Sequence, residues 1–168
     1  LYKIVLVANR NIVKDVLVDF ELIIMQKEAK IEFDRLPVIQ AIPLQMEQLF
    51  HNLISNALKF AKNNVPPVIS ISCRTVTLQE ANSSNLKKPG RYIEIIVADN
   101  GIGFSPEFSE QIFTIFQRLN SKYEYPGTGI GLALCRKIAL NHEGEMWAEA
   151  KPDEGARFHI LLPVNARL

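Results

Sequence analysis

Cysteine, net charge and long apolar runs are all scarce in this chain, and each scarcity narrows what the chain can be. Its two cysteines, Cys73 and Cys135, lie far apart and form no CxxC pair. A reduced, cytoplasmic setting is therefore expected, with each thiol buried in a structural role. Nineteen basic residues nearly cancel eighteen acidic ones, leaving a net charge of +1. That balance gives no electrostatic case for nucleic acid or for a membrane surface. No apolar run is long enough to cross a bilayer: the segment from Val16 to Met25 comes closest, and Asp19 and Glu21 interrupt it. There is no signal-peptide pattern, internal repeat or low-complexity tract. Residue 1 is Leu and not Met, which suggests a piece of a longer protein. What is present is 168 residues, 48% of them hydrophobic, enough for one domain with a real core.

The pattern predicts an edge strand from Tyr2 to Val7, then a helix capped by Asn9 and running to about Lys27, with Ile12, Val13, Val16, Leu17, Phe20, Ile23 and Ile24 on its apolar face. Ile31 to Phe33 reads as a short strand, and Pro37 argues against a central strand between Leu36 and Ile42. A helix starts at Pro43 and is expected to reach Lys62. Strands follow at Val68–Val76 and Arg91–Ala98, antiparallel, joined by a polar hairpin loop from Gln79 to Gly90. Ser105 and Pro106 start a short helix with Phe108, Ile112, Phe113, Ile115 and Phe116 as its apolar residues. The polar stretch from Gln117 to Pro126 reads as a mobile lid or as a plain surface loop. A last helix, with Ala133, Leu134, Ile138, Ala139 and Leu140 as its apolar residues, ends near His142, placed at the negative dipole end. Strands at Glu145–Ala150 and Phe158–Leu162 close the chain, with His159 expected on an exposed face.

Three stretches carry chemistry. The apolar strand ending at Ala98 stops abruptly in Asp99-Asn100-Gly101-Ile102-Gly103-Phe104. Asn-Gly is a common hairpin turn pair, but Ser105-Pro106 does not return as a strand. Glycines at alternate positions let a backbone approach a flat or anionic ligand, and a carboxylate beside them can accept from an exocyclic amine. Winding the central helix at about 100° per residue puts Met46, Leu49, Phe50, Leu53, Ile54, Ala57 and Ala61 on one side. Gln45, Gln48, Asn52, Asn56, Lys59 and Asn63 fall in a polar stripe on the other. A solvated face favours Glu, Lys and Arg, whereas Asn is a poor helix former. A carboxamide oxygen is a neutral, hard ligand suited to Mg2+, and Lys59 one turn on can meet a phosphate. Phe60 is either core, the favoured reading, or a flat surface for a base. The third stretch is Gly127-Thr128-Gly129-Ile130-Gly131-Leu132, glycines feeding a helix start, an arrangement whose free N–H groups hold anions. Leu132 stands where a Walker loop needs Lys, and no strand precedes the glycines as a dinucleotide fingerprint requires.

Together these stretches resemble the boxes of histidine kinase ATP-binding domains. Asn52 to Phe60 is similar to the N box, Asp99 to Phe104 to the first glycine box, Phe113 to Leu119 to the F box, and Gly127 to Leu132 to the second glycine box. The run Phe116 to Leu134 is most similar to the short-lid kinases behind bacterial phytochrome and PAS sensors. The resemblance implies an α/β, two-layer GHKL ATPase fold: a mixed sheet with about three main helices on one face, as a single catalytic domain over residues 1–168 with a lid at about 105–126. It implies ATP and Mg2+ as ligands. Asp99 would take the adenine amine, with Phe60 near the base and Gly101 and Gly103 in the nucleotide wall. Asn56 would hold Mg2+, with Asn52, Lys59 and Arg118 near the phosphates. Gly127, Thr128, Gly129, Gly131 and Leu132 would line the phosphate site.

The resemblance also implies partners: a phosphoacceptor-histidine dimerisation domain of the same protein, a response regulator receiver domain downstream, and a homodimeric parent that is cytoplasmic or membrane-anchored. No nucleic acid or membrane contact by this domain is expected. The family often places Thr or Ser after the glycine near the C-terminus, where this chain has Ala156 and Arg157. No histidine here sits in the phosphoacceptor motif, since His142-Glu143 is followed by Gly144 at a helix end. Gyrase-like and mismatch-repair ATPases of this superfamily place a Glu at the position of Asn52 to activate water. Asn cannot act as that base, which favours phosphoryl transfer over hydrolysis.

Overall fold

The computed structural model describes residues 5–77, 79–80, 86, 90–119, 125 and 127–164. In chain order, β1 (Val5–Ala8) leads into α1 (Asn9–Asp19) and the short α2 (Glu21–Gln26). Next come β2 (Lys30–Phe33), β3 (Val38–Ala41) and α3 (Pro43–Lys59). The long strands β4 (Val68–Thr77) and β5 (Arg91–Asp99) precede α4 (Gly131–Asn141), β6 (Glu145–Lys151) and β7 (Gly155–Pro163). Five strands form one sheet in the order β2–β4–β5–β7–β6, with β2 parallel to β4 and the other pairs antiparallel. The strands β1 and β3 form a separate antiparallel pair, which keeps Pro37 out of the main sheet.

Alternation along the long strands sends Ile69, Ile71, Ile95, Val97, Phe158 and Ile160 to one face. There they meet Met46, Leu49, Phe50, Leu53, Ile54 and Ala57 of α3 and Cys135, Ile138 and Ala139 of α4 in one continuous core. Burying a side chain of this size contributes about 1.5–3 kcal/mol, so this face holds the two layers together. The result is a mixed sheet with helices on one side, as expected.

Several local expectations fail for identifiable reasons. The helix expected from Asn9 to Lys27 is two helices, broken at Phe20 (φ −105°, ψ 4°), and Asn9 lies within α1. Residues 2–4 of the expected edge strand lie outside the described residues, as do 120–124 and 126 of the lid and most of the loop from 79 to 90. The helix α3 stops at Lys59: the chain turns at Phe60, whose carbonyl accepts from the Ile102 N–H and not from the next helical turn; Asn63 is therefore off the polar stripe. Ser105 and Pro106 start no α-helix. Two 3₁₀ turns, Pro106–Phe108 and Gln111–Phe113, stand there, the Ser105 hydroxyl donates to Glu107, and only Phe113 of the predicted face is buried. Ile115 and Phe116 are exposed, as is Leu140 of α4. Cys73 is half-buried, while Cys135 is fully buried.

Both reassigned histidines are buried. His159 stacks on Trp147, with centroids 4.8 Å apart and planes within 6°, and its Nδ1 lies 2.8 Å from Glu94 Oε1. It sits on the sheet face away from the helices, and Arg74 holds the other oxygen of Glu94. His142 caps α4 through a neutral ring: Nε2 accepts from the Ile42 N–H at 3.0 Å, and Nδ1 lies 2.8 Å from the Ile138 carbonyl. An acceptor at Nε2 requires the proton on Nδ1. The ring therefore joins the end of α4 to the start of α3 and is no cation on the helix dipole. His142→Leu strands the buried Ile42 N–H. The expected cost is about 2 kcal/mol, read as a lower urea midpoint at unchanged slope.

Candidate nucleotide site

The end of β5 is pinned from three sides. Asn100 Oδ1 accepts from the Val68 N–H at 2.8 Å, and Asn100 Nδ2 donates to the Pro66 carbonyl. The Ile102 N–H donates to the Phe60 carbonyl at 2.9 Å, and the Asp153 N–H donates to the Ile102 carbonyl. These bonds lodge the Asp-Asn-Gly stretch between the last turn of α3 and the β6–β7 turn. Asp99 Oδ1 accepts from the Gly101 N–H at 2.8 Å. Burial pushes the Asp99 carboxyl above its ordinary value, and bonds from the Gly101 and Ala156 N–H groups offset part of that rise.

Facing Asp99 is the polar side of α3. Asn52, Asn56 and Lys59 recur at helical spacing and share one face. Asn52 Nδ2 donates to the Gln48 carbonyl at 2.9 Å, while the Asn56 carboxamide has no hydrogen-bond partner among the described residues. Lys59 Nζ lies 4.3 Å from the Phe60 ring centroid. Burial first, and the Arg118 charge second, lower the Lys59 pKa. The first turn of α4 abuts this stripe: a Cβ on Gly131 would stand 3.0 Å from Asn52 Oδ1, and one on Gly127 2.9 Å from Lys59 Nζ. No side chain among the described residues caps α4, so its first-turn N–H groups, beside the cavity, lack a partner among those residues.

A cavity of about 290 Å³ lies between these elements. Asn52, Asn56, Lys59, Phe60, Asp99, Gly103, Arg118, Gly127, Thr128, Gly129, Gly131 and Leu132 all line it. Of the residues expected in the site, Gly101 alone does not; it backs Asp99 instead. Phe60 lines the cavity and is not core. Ser55, Phe104, Ile112, Gln117, Leu119, Tyr125, Ala156 and Phe158 also line it, and sequence reasoning did not single them out as site residues. Helical spacing from Asn52 would have added Ser55. The resemblance marks Ala156, as the residue after the glycine near the C-terminus, and nothing local marks Phe158; both reach the site through the pairing of β5 with β7. Arg157 is on the other face of β7, while Ala156 offers its N–H to Asp99. Among the described residues no cluster of three His, Cys, Asp or Glu side chains could hold a metal, and no helix is long and apolar enough to cross a membrane.

A mixed sheet backed by helices, with a cavity walled by helix amides and a glycine-lined helix start, defines a GHKL-type domain. Residues 41–166 match the family described as histidine kinase-, DNA gyrase B-, and HSP90-like ATPase, and the chain belongs to that family. It is similar to cyanobacterial phytochrome A of Nostoc sp., 40% identical over 86% of this chain, and to phytochrome-like protein Cph1 of Synechocystis sp., 36% identical over 93%. The chain spans 17% and 19% of the lengths of those two proteins. In fold it is similar to the catalytic domain of histidine kinase ThkA, with a TM-score of 0.74, 23% identity, and coverage of 98% of this chain and 97% of that one.

Proposed function

We propose that this chain is the catalytic ATP-binding domain of a sensor histidine kinase, one domain of a longer, homodimeric protein. It presents the γ-phosphoryl group of ATP to a histidine on a separate dimerisation domain, from which a response regulator receiver domain takes it. The carrying observation is the convergence of Asp99, the α3 amides and the first turn of α4 on one cavity. Asp99 accepts the adenine amine. Lys59 and Arg118 meet phosphate oxygens as fixed charges, and the free N–H groups of α4 take the rest.

The unpartnered carboxamide of Asn56 fits Mg2+, an ion that takes one or two protein oxygens and completes its shell with water and phosphate. When bound, the ion offsets triphosphate charge. Asn56→Ala should weaken Mg2+-dependent ATP binding by about tenfold and Mg2+-free ADP binding far less. Equal losses in the two titrations would remove the metal role.

Two observations support transfer over hydrolysis. Among the described residues that line the cavity, Asp99 is the only carboxylate, and it accepts from backbone N–H groups, so none of them stands ready as a general base for water. Of the chain's own histidines, His142 and His159 are buried, and His51 is exposed but stands against Phe20 and does not line the cavity. The acceptor then comes from elsewhere, and the domain's work is positioning and charge neutralisation. Mixing this chain with the helical hairpin of its parent protein and radiolabelled ATP should place acid-labile, base-stable label on the hairpin. Release of free phosphate with an unlabelled hairpin would contradict the proposal.

A further inference from the structure

Phe60 presents its ring to the cavity at the end of α3, on the wall where the proposed function puts the base. That ring already has an aromatic partner. The Tyr125 ring stands against it, centroids 5.1 Å apart and planes tilted by 36°, within the range of direct aromatic contact. Two rings in contact leave no space for a third plane between them. Lys59 Nζ holds a cation–π position over the same Phe60 ring at 4.3 Å. The backbone of Tyr125 is engaged as well, because the Arg118 guanidinium donates to its carbonyl oxygen. Phe60, Tyr125, Arg118 and Lys59 thus form a closed set. The Phe60 face expected to meet the base is thus already covered within the chain.

We propose that Tyr125 is an internal competitor of the nucleotide base. Its ring covers Phe60 in the free protein, and a base that stacks on Phe60 must displace it. Arg118 is held on the Tyr125 backbone carbonyl, a bond that rotation of the ring alone leaves in place. The affinity of the free domain is reduced by the stability of the self-stacked state. The proposal rests on the nucleotide reading of the cavity and adds to it the contact that sets affinity.

Isothermal titration of this chain with Mg2+-free ADP tests it. Y125A removes the competing ring and should bind ADP about two- to tenfold more tightly than the unaltered chain, the span set by the strength of an aromatic pair. Y125F keeps the ring and should keep the original affinity. Tyr125 is only partly buried and lies outside the core, so truncation leaves the fold in place. Weaker ADP binding by Y125A would make Tyr125 a wall of the base site and overturn the proposal; equal binding would overturn it too. Failure of the unaltered, folded chain to bind ADP at all would sink the nucleotide reading itself, a result distinct from either.

Discussion

Asp99→Asn should cut nucleotide affinity about 100-fold and leave the fold intact. The carboxylate is held at the end of β5 with Oδ1 on the Gly101 N–H at 2.8 Å, so its rotamer is set before any ligand arrives. An ionised carboxylate is acceptor-only; an amide presents an NH₂ group to an incoming adenine amine and sets donor against donor. Losing a charge-assisted bond and leaving a buried donor unpaired costs about 3 kcal/mol, roughly a 100-fold loss of ATP affinity in calorimetry. Stability should move little. Burial raises the Asp99 pKa, so the ionised carboxylate costs folding free energy at neutral pH, a cost that disappears as the pH falls below the raised value. The neutral amide removes that cost, which offsets its lost acceptor. The same shift gives a pH dependence: nucleotide affinity should begin to fall on acidification at a pH above the range of an ordinary aspartate. Unchanged affinity in the variant would remove Asp99 from the site.

Gly103→Ala should be strongly destabilising. Gly103 has φ +59°, and a Cβ there would lie 2.0 Å from the Lys151 carbonyl oxygen and 2.8 Å from that of Gly155. Both are backbone atoms of the β6–β7 turn, so no side chain can swing aside. Positive φ and backbone overlap together cost about 3 kcal/mol or more, a fall of about 10 °C in the unfolding midpoint for a domain of this size. Gly127→Ala makes the contrast. Its Cβ meets only the flexible Lys59 Nζ, at 2.9 Å, so its midpoint should stay near that of the parent while nucleotide affinity falls. Equal destabilisation in both variants would contradict this division between the two glycine clusters.

The division also marks what was legible in the sequence. Apolar periodicity of α3 and alternation in β4, β5 and β7 gave the sheet and its helical face, because burial follows those periods closely. Helix breaks were harder. Phe20 fits the apolar face of a continuous helix and still ends α1, and α3 ends where the Phe60 carbonyl pairs with the distant Ile102 N–H. The glycines of Asp99–Phe104 looked like ligand glycines, and the structure gives Gly101 and Gly103 close backbone neighbours as well. His159 was misplaced because alternation marks the outer face of a sheet as polar, while Trp147, Glu94 and Arg74 gather there from β6, β5 and β4. Tyr125 carried no signal, since an aromatic in a polar stretch gains meaning only from what it stands against.

The central claim is a single nucleotide held jointly by the end of β5, the polar face of α3 and the first turn of α4. A crystal structure of this chain with Mg2+ and a non-hydrolysable ATP analogue tests it most directly. The account predicts the adenine amine on Asp99, the metal on Asn56 and the phosphates on the N–H groups from Gly127 to Leu132. An analogue bound elsewhere, or one that leaves Asp99 and Asn56 untouched, would contradict it.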